Sequence, residues 1–136
     1  NLGAEAERGL RAYGKYVGMA FQITDDLLDL TSNEKKIGKP AGNDIHEGIV
    51  TLPVIRALEV SSEREELLSI VTNPSMTRED VERALAIVRA SDGIEYARAK
   101  VREFLTEAKE ALPAVLPDKV RDTFCKAADY IAKRES

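Results

Sequence analysis

Three carboxylates stand inside an otherwise apolar run, Phe21-Gln22-Ile23-Thr24-Asp25-Asp26-Leu27-Leu28-Asp29. On a helix that turns about 100° per residue, Asp25 and Asp29 fall roughly 40° apart with Gln22 beside them, which makes one polar stripe. The rest of the circumference is Val17, Met19, Ala20, Phe21, Ile23, Leu27, Leu28 and Leu30, a pattern that predicts a buried helix. Like charges one turn apart cost a helix roughly 0.2 to 0.5 kcal/mol per pair, and Asp is a weak helix former. A hard divalent cation offsets that cost. Mg²⁺ takes oxygen ligands and is commonly held by one or two carboxylates together with substrate phosphates. The competing reading is a solvated acidic face, and the apolar surroundings argue against it.

The second stretch with chemical potential is Gly38-Lys39-Pro40-Ala41-Gly42-Asn43-Asp44, inside an irregular segment from Thr31 to Gly48 that reads as a loop. Its glycines and Lys39 can bring backbone N–H groups and one ammonium to an anion. The pattern is not a Walker loop, and by itself it marks a turn. Beside three aspartates it gains weight, because a lysine is a usual point charge for the exposed oxygens of a metal-held diphosphate. His46 is the only histidine. With no second imidazole or thiol to join it, a surface or loop-bonding role is expected.

Helices must carry these residues. The spacing predicts a long helix over 4–30, or two joined end to end, crossed by Gly9, Gly14 and Gly18, each costing about 1 kcal/mol against Ala. Gly14 and Gly18 lie on the side of Asp25 and Asp29, so they either keep that face open or admit a neighbouring helix. Thr51-Leu52-Pro53 opens a helix to about Glu59, with Thr51 as N-cap and Pro53 in the first turn. Ser62 with Glu65, and Thr77 with Asp80, resemble capping boxes that start helices over 63–72 and 78–91. Ser91-Asp92-Gly93 breaks the pattern. Ile94, Ala97, Val101, Leu105, Ala108 and Leu112 then form one apolar stripe, and after Pro113 to Pro117 a last helix over 118–134 turns Val120, Phe124, Ala127, Ala128 and Ile131 inward. No β-alternation occurs, so the class is all-α.

At 136 residues and 43% hydrophobic, the chain is of single-domain size. A net charge of −4 gives no basic footprint for nucleic acid, and no apolar run approaches the roughly 18 residues needed to insert into a membrane. Cys125 is alone and reads as a small apolar residue on a helix face. With no secretory signal in view, the expected compartment is cytoplasmic. Asn1-Leu2-Gly3 reads as the continuation of something that precedes it, so a fragment of a longer protein is expected.

Taken together, Phe21 to Asp29, then Gly38 to Ile45 and Thr51 to Pro53, closely resemble the C-terminal half of the trans-prenyltransferases, the polyprenyl diphosphate synthases. The likeness extends over nearly the whole chain, including Gly93 to Leu112 and Ala128-Asp129-Tyr130-Ile131. It implies the C-terminal part of the isoprenoid synthase helical bundle, in which two aspartate-rich segments hold Mg²⁺ against the diphosphate of an allylic substrate. Residues 1–136 would be the half that carries the second segment. The resemblance makes Asp25, Asp26 and Asp29 metal residues, with Asp25 the most direct ligand and Asp29 acting through metal-bound water. It matches Gln22 and Lys39 to diphosphate contacts and Phe21 to the cavity wall near isopentenyl diphosphate. Asp44 would orient Lys39 or a metal-bound water.

Two departures stand out. The resemblance expects lysine at position 49, where this chain has Ile49, and no second D-D-x-x-D occurs. The implied function is condensation of an allylic diphosphate with isopentenyl diphosphate, with this chain inactive by itself and associating with a copy of itself or with the missing half. A non-catalytic subunit of a heteromeric prenyl synthase and, from a different class, a helical interaction module are the alternatives.

Overall fold

The computed structural model describes residues 3–31 and 40–134, and among these all regular structure is helical. In order the helices are α1 (Gly3–Thr31), α2 (Asn43–His46), α3 (Leu52–Val60), α4 (Arg64–Val71), α5 (Arg78–Ala90), α6 (Gly93–Ala111) and α7 (Asp118–Lys133). The chain forms two compact units, Asn1–Thr24 with Ala99–Ser136, and Asp25–Arg98. Both boundaries fall inside helices, α1 and α6, so no change of composition marks them.

In the first unit, Tyr13, Ala108, Leu112 and Leu116 form the core, with Leu10, Tyr16, Val17, Phe124 and Cys125 packed against it. Tyr13 meets Phe124 edge-on at 4.9 Å between ring centroids, and its hydroxyl donates to the Phe124 carbonyl at 2.8 Å. Gly9 is a packing glycine: a Cβ there would lie 2.6 Å from the Ala111 carbonyl oxygen. Gly14 and Gly18 differ, since a Cβ on either would meet nothing within 4 Å. Of the two readings open for them, the uncovered face holds among the described residues.

In the second unit, α5 is the axis. Val81, Ala84, Leu85, Ile87 and Val88 are all buried, and they share one core with Leu30, Ile45, Val54, Ala57, Leu67 and Ile70. Thr77 and Asp80 close the expected capping box, each side chain accepting from the other's backbone N–H. Thr51 stands at the N-cap position of α3 and proline sits in the first turn as expected, but the Thr51 side chain makes no capping hydrogen bond. Gly93 permits a close approach, because a Cβ there would come within 2.4 Å of the Pro53 carbonyl oxygen. On the exposed side, Arg83 reaches Glu63 and Glu66, and Arg56 pairs with both oxygens of Asp92 at 3.0 Å.

Four expectations need correction. The acidic helix is not enclosed. Its buried stripe is Ala6, Tyr13, Ala20, Thr24, Leu27 and Leu30, whereas Met19 and Phe21 remain 38% and 47% exposed. One stripe is all that these residues cover. The segment from Thr31 to Gly48 is not all loop, for it contains α2. Ser62 does not cap α4; the Ser61 hydroxyl accepts from the Glu63 N–H at 3.0 Å instead. Val120 and Ala127 face outward on α7, and Ala128 and Ile131 carry its burial. The apolar stripe of α6 holds at Ala97, Val101, Leu105 and Ala108, and Leu112, just past the helix end, is buried with it.

Candidate functional site

The last turns of α1 set the site's geometry. Leu27 and Leu30 are 0% and 1% exposed. Their burial fixes the rotation of the helix and leaves Asp25 exposed, with Asp26 and Asp29 half-buried on its flank. Asp29 does more than share the stripe. Its Oδ1 accepts from the Asn43 N–H and its Oδ2 from the Asp44 N–H, both at 3.1 Å, and its carbonyl accepts from the Gly42 N–H at 3.0 Å. The first residues of α2 therefore hang on one carboxylate. Gly42, at φ +83°, has no side chain to cap α2, and a Cβ there would lie 2.8 Å from Val81. A capping side chain has to come from another element, and α1 provides it.

This arrangement brings Asp44 to Asp29. The Asp44 carboxyl is pushed up to about 6, by burial first and then by the charges of Asp29, Asp26, Asp25 and Glu47. Four neighbouring carboxylates thus add to the effect of burial at Asp44. Ile49 stands close by, its N–H donating to the Asp44 carbonyl at 2.8 Å, with its side chain 49% exposed. Among the described residues, no group of three or more His, Cys, Asp or Glu side chains is close enough to hold a metal ion by itself.

Phe21 and Gln22 belong to the first unit. The Arg134 guanidinium lies 4.1 Å from the Phe21 ring centroid and donates to Thr24 Oγ1 at 3.0 Å, while that hydroxyl donates to the Phe21 carbonyl at 2.8 Å. Gln22 is exposed. Lys39 lies outside the described residues. His46 is exposed and lines a cavity of about 350 Å³ with Glu47, Thr72 and Asn73, among others.

Two residues escaped the reading of the sequence. Arg78 Nη1 donates to the Ala41 carbonyl at 2.9 Å, and Arg89 donates to the Leu30 carbonyl from Nε at 3.1 Å and Nη2 at 2.6 Å. Eleven residues make about three helical turns, so both lie on one face of α5. Spacing alone could have paired them, but nothing in sequence says that their targets are backbone carbonyls. The other unforeseen feature is Thr51 Oγ1, buried with no hydrogen-bond partner among the described residues.

Residues 2–88 match the family model described as polyprenyl synthetase. The short chain isoprenyl diphosphate synthase of Methanothermobacter thermautotrophicus is 41% identical over 128 residues, which is 93% of this chain and 39% of that protein. Heptaprenyl diphosphate synthase component 2 of Bacillus subtilis is 37% identical over 128 residues, covering 94% of this chain and 36% of that protein. The crystal structure of a geranylgeranyl pyrophosphate synthase from Corynebacterium glutamicum, complexed with calcium and isoprenyl diphosphate, superposes with a TM-score of 0.79 at 32% identity, over 94% of this chain and 40% of that one. The chain thus spans well under half the length of the relatives it matches. No helix among the described residues is long and apolar enough to cross a membrane.

Proposed function

This chain belongs to the polyprenyl synthetase family, and we propose that it is the C-terminal half of a prenyltransferase that condenses an allylic diphosphate with isopentenyl diphosphate. The observation that carries the reading is the acidic end of α1 tied to α2: Asp25 is exposed and Asp26 half-buried beside a buried stripe, and Asp29 holds the Asp44 backbone N–H. Every candidate donor there is a carboxylate oxygen, the chemistry that Mg²⁺ requires. Asp25 and Asp26 are the residues that would hold the ion, and a diphosphate would complete its coordination in place of a third protein carboxylate. The bound cation would supply charge stabilisation for a departing diphosphate.

The chain's own groups have separate tasks. Gln22 and Lys39 would hold diphosphate oxygens, Gln22 as a neutral donor and Lys39 as a point charge. Phe21 would wall the apolar end of the site. Asp29 would act chiefly by fixing α2, and Asp44 would accept from a water or an ammonium facing it. Ionisation of an allylic C–O bond needs no protein nucleophile, so a site of acceptors and cations suffices. The remaining part of the site would come from outside these residues, through the rest of a longer polypeptide or through association, in the cytoplasm.

A second reading is favoured by Ile49. Ile49, whose N–H meets the Asp44 carbonyl, is apolar where the family resemblance expects lysine, and one relative is named as a component of a heptaprenyl synthase. A subunit that assists a catalytic partner would tolerate that change. Assay of the full-length gene product with labelled isopentenyl diphosphate and an allylic diphosphate separates the two: turnover without a second protein supports the first, and turnover only with one supports the second. An Asp25→Ala variant with full turnover would remove the metal role.

A further inference from the structure

We propose that Arg89 is a positioning residue for the aspartate segment, supplying from α5 a cap and a positive charge at the end of α1, whose own last turn has no basic residue. The inference rests on the reading of Asp25 and Asp26 as metal-binding residues. The C-terminal end of a helix carries partial negative charge and leaves its last carbonyls without partners in the helix. Cations are favoured there and carboxylates are not. α1 does the opposite: its last turn has no basic residue, and Asp25, Asp26 and Asp29 all lie within its last seven positions.

Arg89 corrects the imbalance from another helix. Its Nε and Nη2 both donate to the Leu30 carbonyl, at 3.1 and 2.6 Å, while the Asp29 carbonyl is taken by the Gly42 N–H at 3.0 Å. A planar guanidinium that gives two N–H groups to one oxygen fixes direction as well as distance. Leu30 follows Asp29 directly and lies one turn beyond Asp26. Fraying of that last turn would therefore move both carboxylates together. Arg83 provides the contrast on the same helix. Among the described residues its side-chain hydrogen bonds go to Glu63 and Glu66 and none to α1.

The test is calorimetric binding of Mg²⁺ with inorganic pyrophosphate to the full-length gene product, with thermal unfolding run on each variant. Arg89→Gln is expected to weaken pyrophosphate binding roughly tenfold, as loss of an outer partner commonly does for a metal site. Arg89→Lys keeps the charge and one donor, and should bind about threefold more weakly than wild type. Arg83→Gln should lower the unfolding temperature and leave the affinity unchanged. Unchanged affinity in folded Arg89→Gln overturns the inference and leaves the metal reading standing. Equal weakening by Arg83→Gln also overturns it, because the effect would then be general loss of stability. If Arg89→Gln does not fold, Arg89→Lys decides, and wild-type affinity in that variant is the overturning result. Absence of pyrophosphate binding by wild type would instead remove the metal reading itself, and the inference with it.

Discussion

Asp29→Ala separates capping from metal binding, because the two roles act on different observables. Two backbone N–H groups of α2, those of Asn43 and Asp44, end on the Asp29 carboxylate at 3.1 Å. Hydrogen bonds to charged acceptors contribute about 1.5 to 3 kcal/mol each, and loss of an N-cap alone costs about 0.5 to 2. Part of this returns on mutation. Asp29 is the leading charged neighbour that raises Asp44, so its removal relieves repulsion on an ionised Asp44. A net loss of about 2 kcal/mol for local opening of α2 follows, which corresponds to about thirtyfold faster amide exchange. Hydrogen exchange of the Asn43 and Asp44 amides, in EDTA so that no metal contributes, reads this directly. Asp29→Asn keeps one acceptor oxygen and should fall between wild type and Asp29→Ala. If the two amides exchange at the wild-type rate in metal-free Asp29→Ala, the carboxylate is not holding α2 and the reasoning fails.

The raised Asp44 carboxyl has a definite pH signature. Its folded-state proton is held up to about 6 against an ordinary 3.8, so the folded protein binds that proton more tightly than the unfolded chain. Ionisation as pH rises from about 4 to 6 therefore destabilises the fold, by about 1 to 2 kcal/mol once solvent screening is allowed for. Asp44→Asn should raise metal-free stability in denaturant melts at pH 8 and leave it unchanged at pH 4; equal effects at both would contradict the assignment. Ile49→Lys places an ammonium next to Asp44 and should lower that carboxyl's pKa and tighten pyrophosphate binding several-fold at low salt, less so at high salt. Carbon NMR titration of Asp44 and calorimetry would register both changes, and no movement in either would mean that position 49 does not face the site. Thr51→Val removes a buried hydroxyl that has no partner among the described residues, so stability should stay within about 1 kcal/mol of wild type or rise. A drop of several kcal/mol on thermal melting would reveal a hydrogen bond at Thr51 Oγ1.

Much of the scaffold was legible because its signals are local. The Thr77 and Asp80 capping box, the proline in the first turn of α3 and the α6 stripe from Ala97 to Ala108 each depend on residues within a few turns. The errors lie where a local signal met a distant competitor. Ser61 and Ser62 are both acceptable caps, and only the path of the chain decides that Ser61 meets the Glu63 N–H. α2 looked like loop because Gly42 cannot cap it, and its cap stands thirteen residues before Gly42, on Asp29. The α1 periodicity was correct, but its apolar circumference overstated the burial, since Met19 and Phe21 remain exposed.

The acidic segment makes the same point for function. Its spacing identified Asp25, Asp26 and Asp29 as one set, and a set read from spacing invites one role for all three. The hydrogen bonds divide them. Asp29 has both carboxylate oxygens engaged by α2, whereas Asp25 is exposed. A carboxylate that already accepts two backbone N–H bonds can bind a cation only with its remaining lone pairs, and at some cost to those bonds. Asp25, exposed to solvent, is open to a hydrated cation from outside. Metal affinity should therefore fall further in Asp25→Ala than in Asp29→Asn, while loss of α2 protection should follow the opposite order. Two variants that ranked the same way in both measurements would show that ligand and cap are not separate residues.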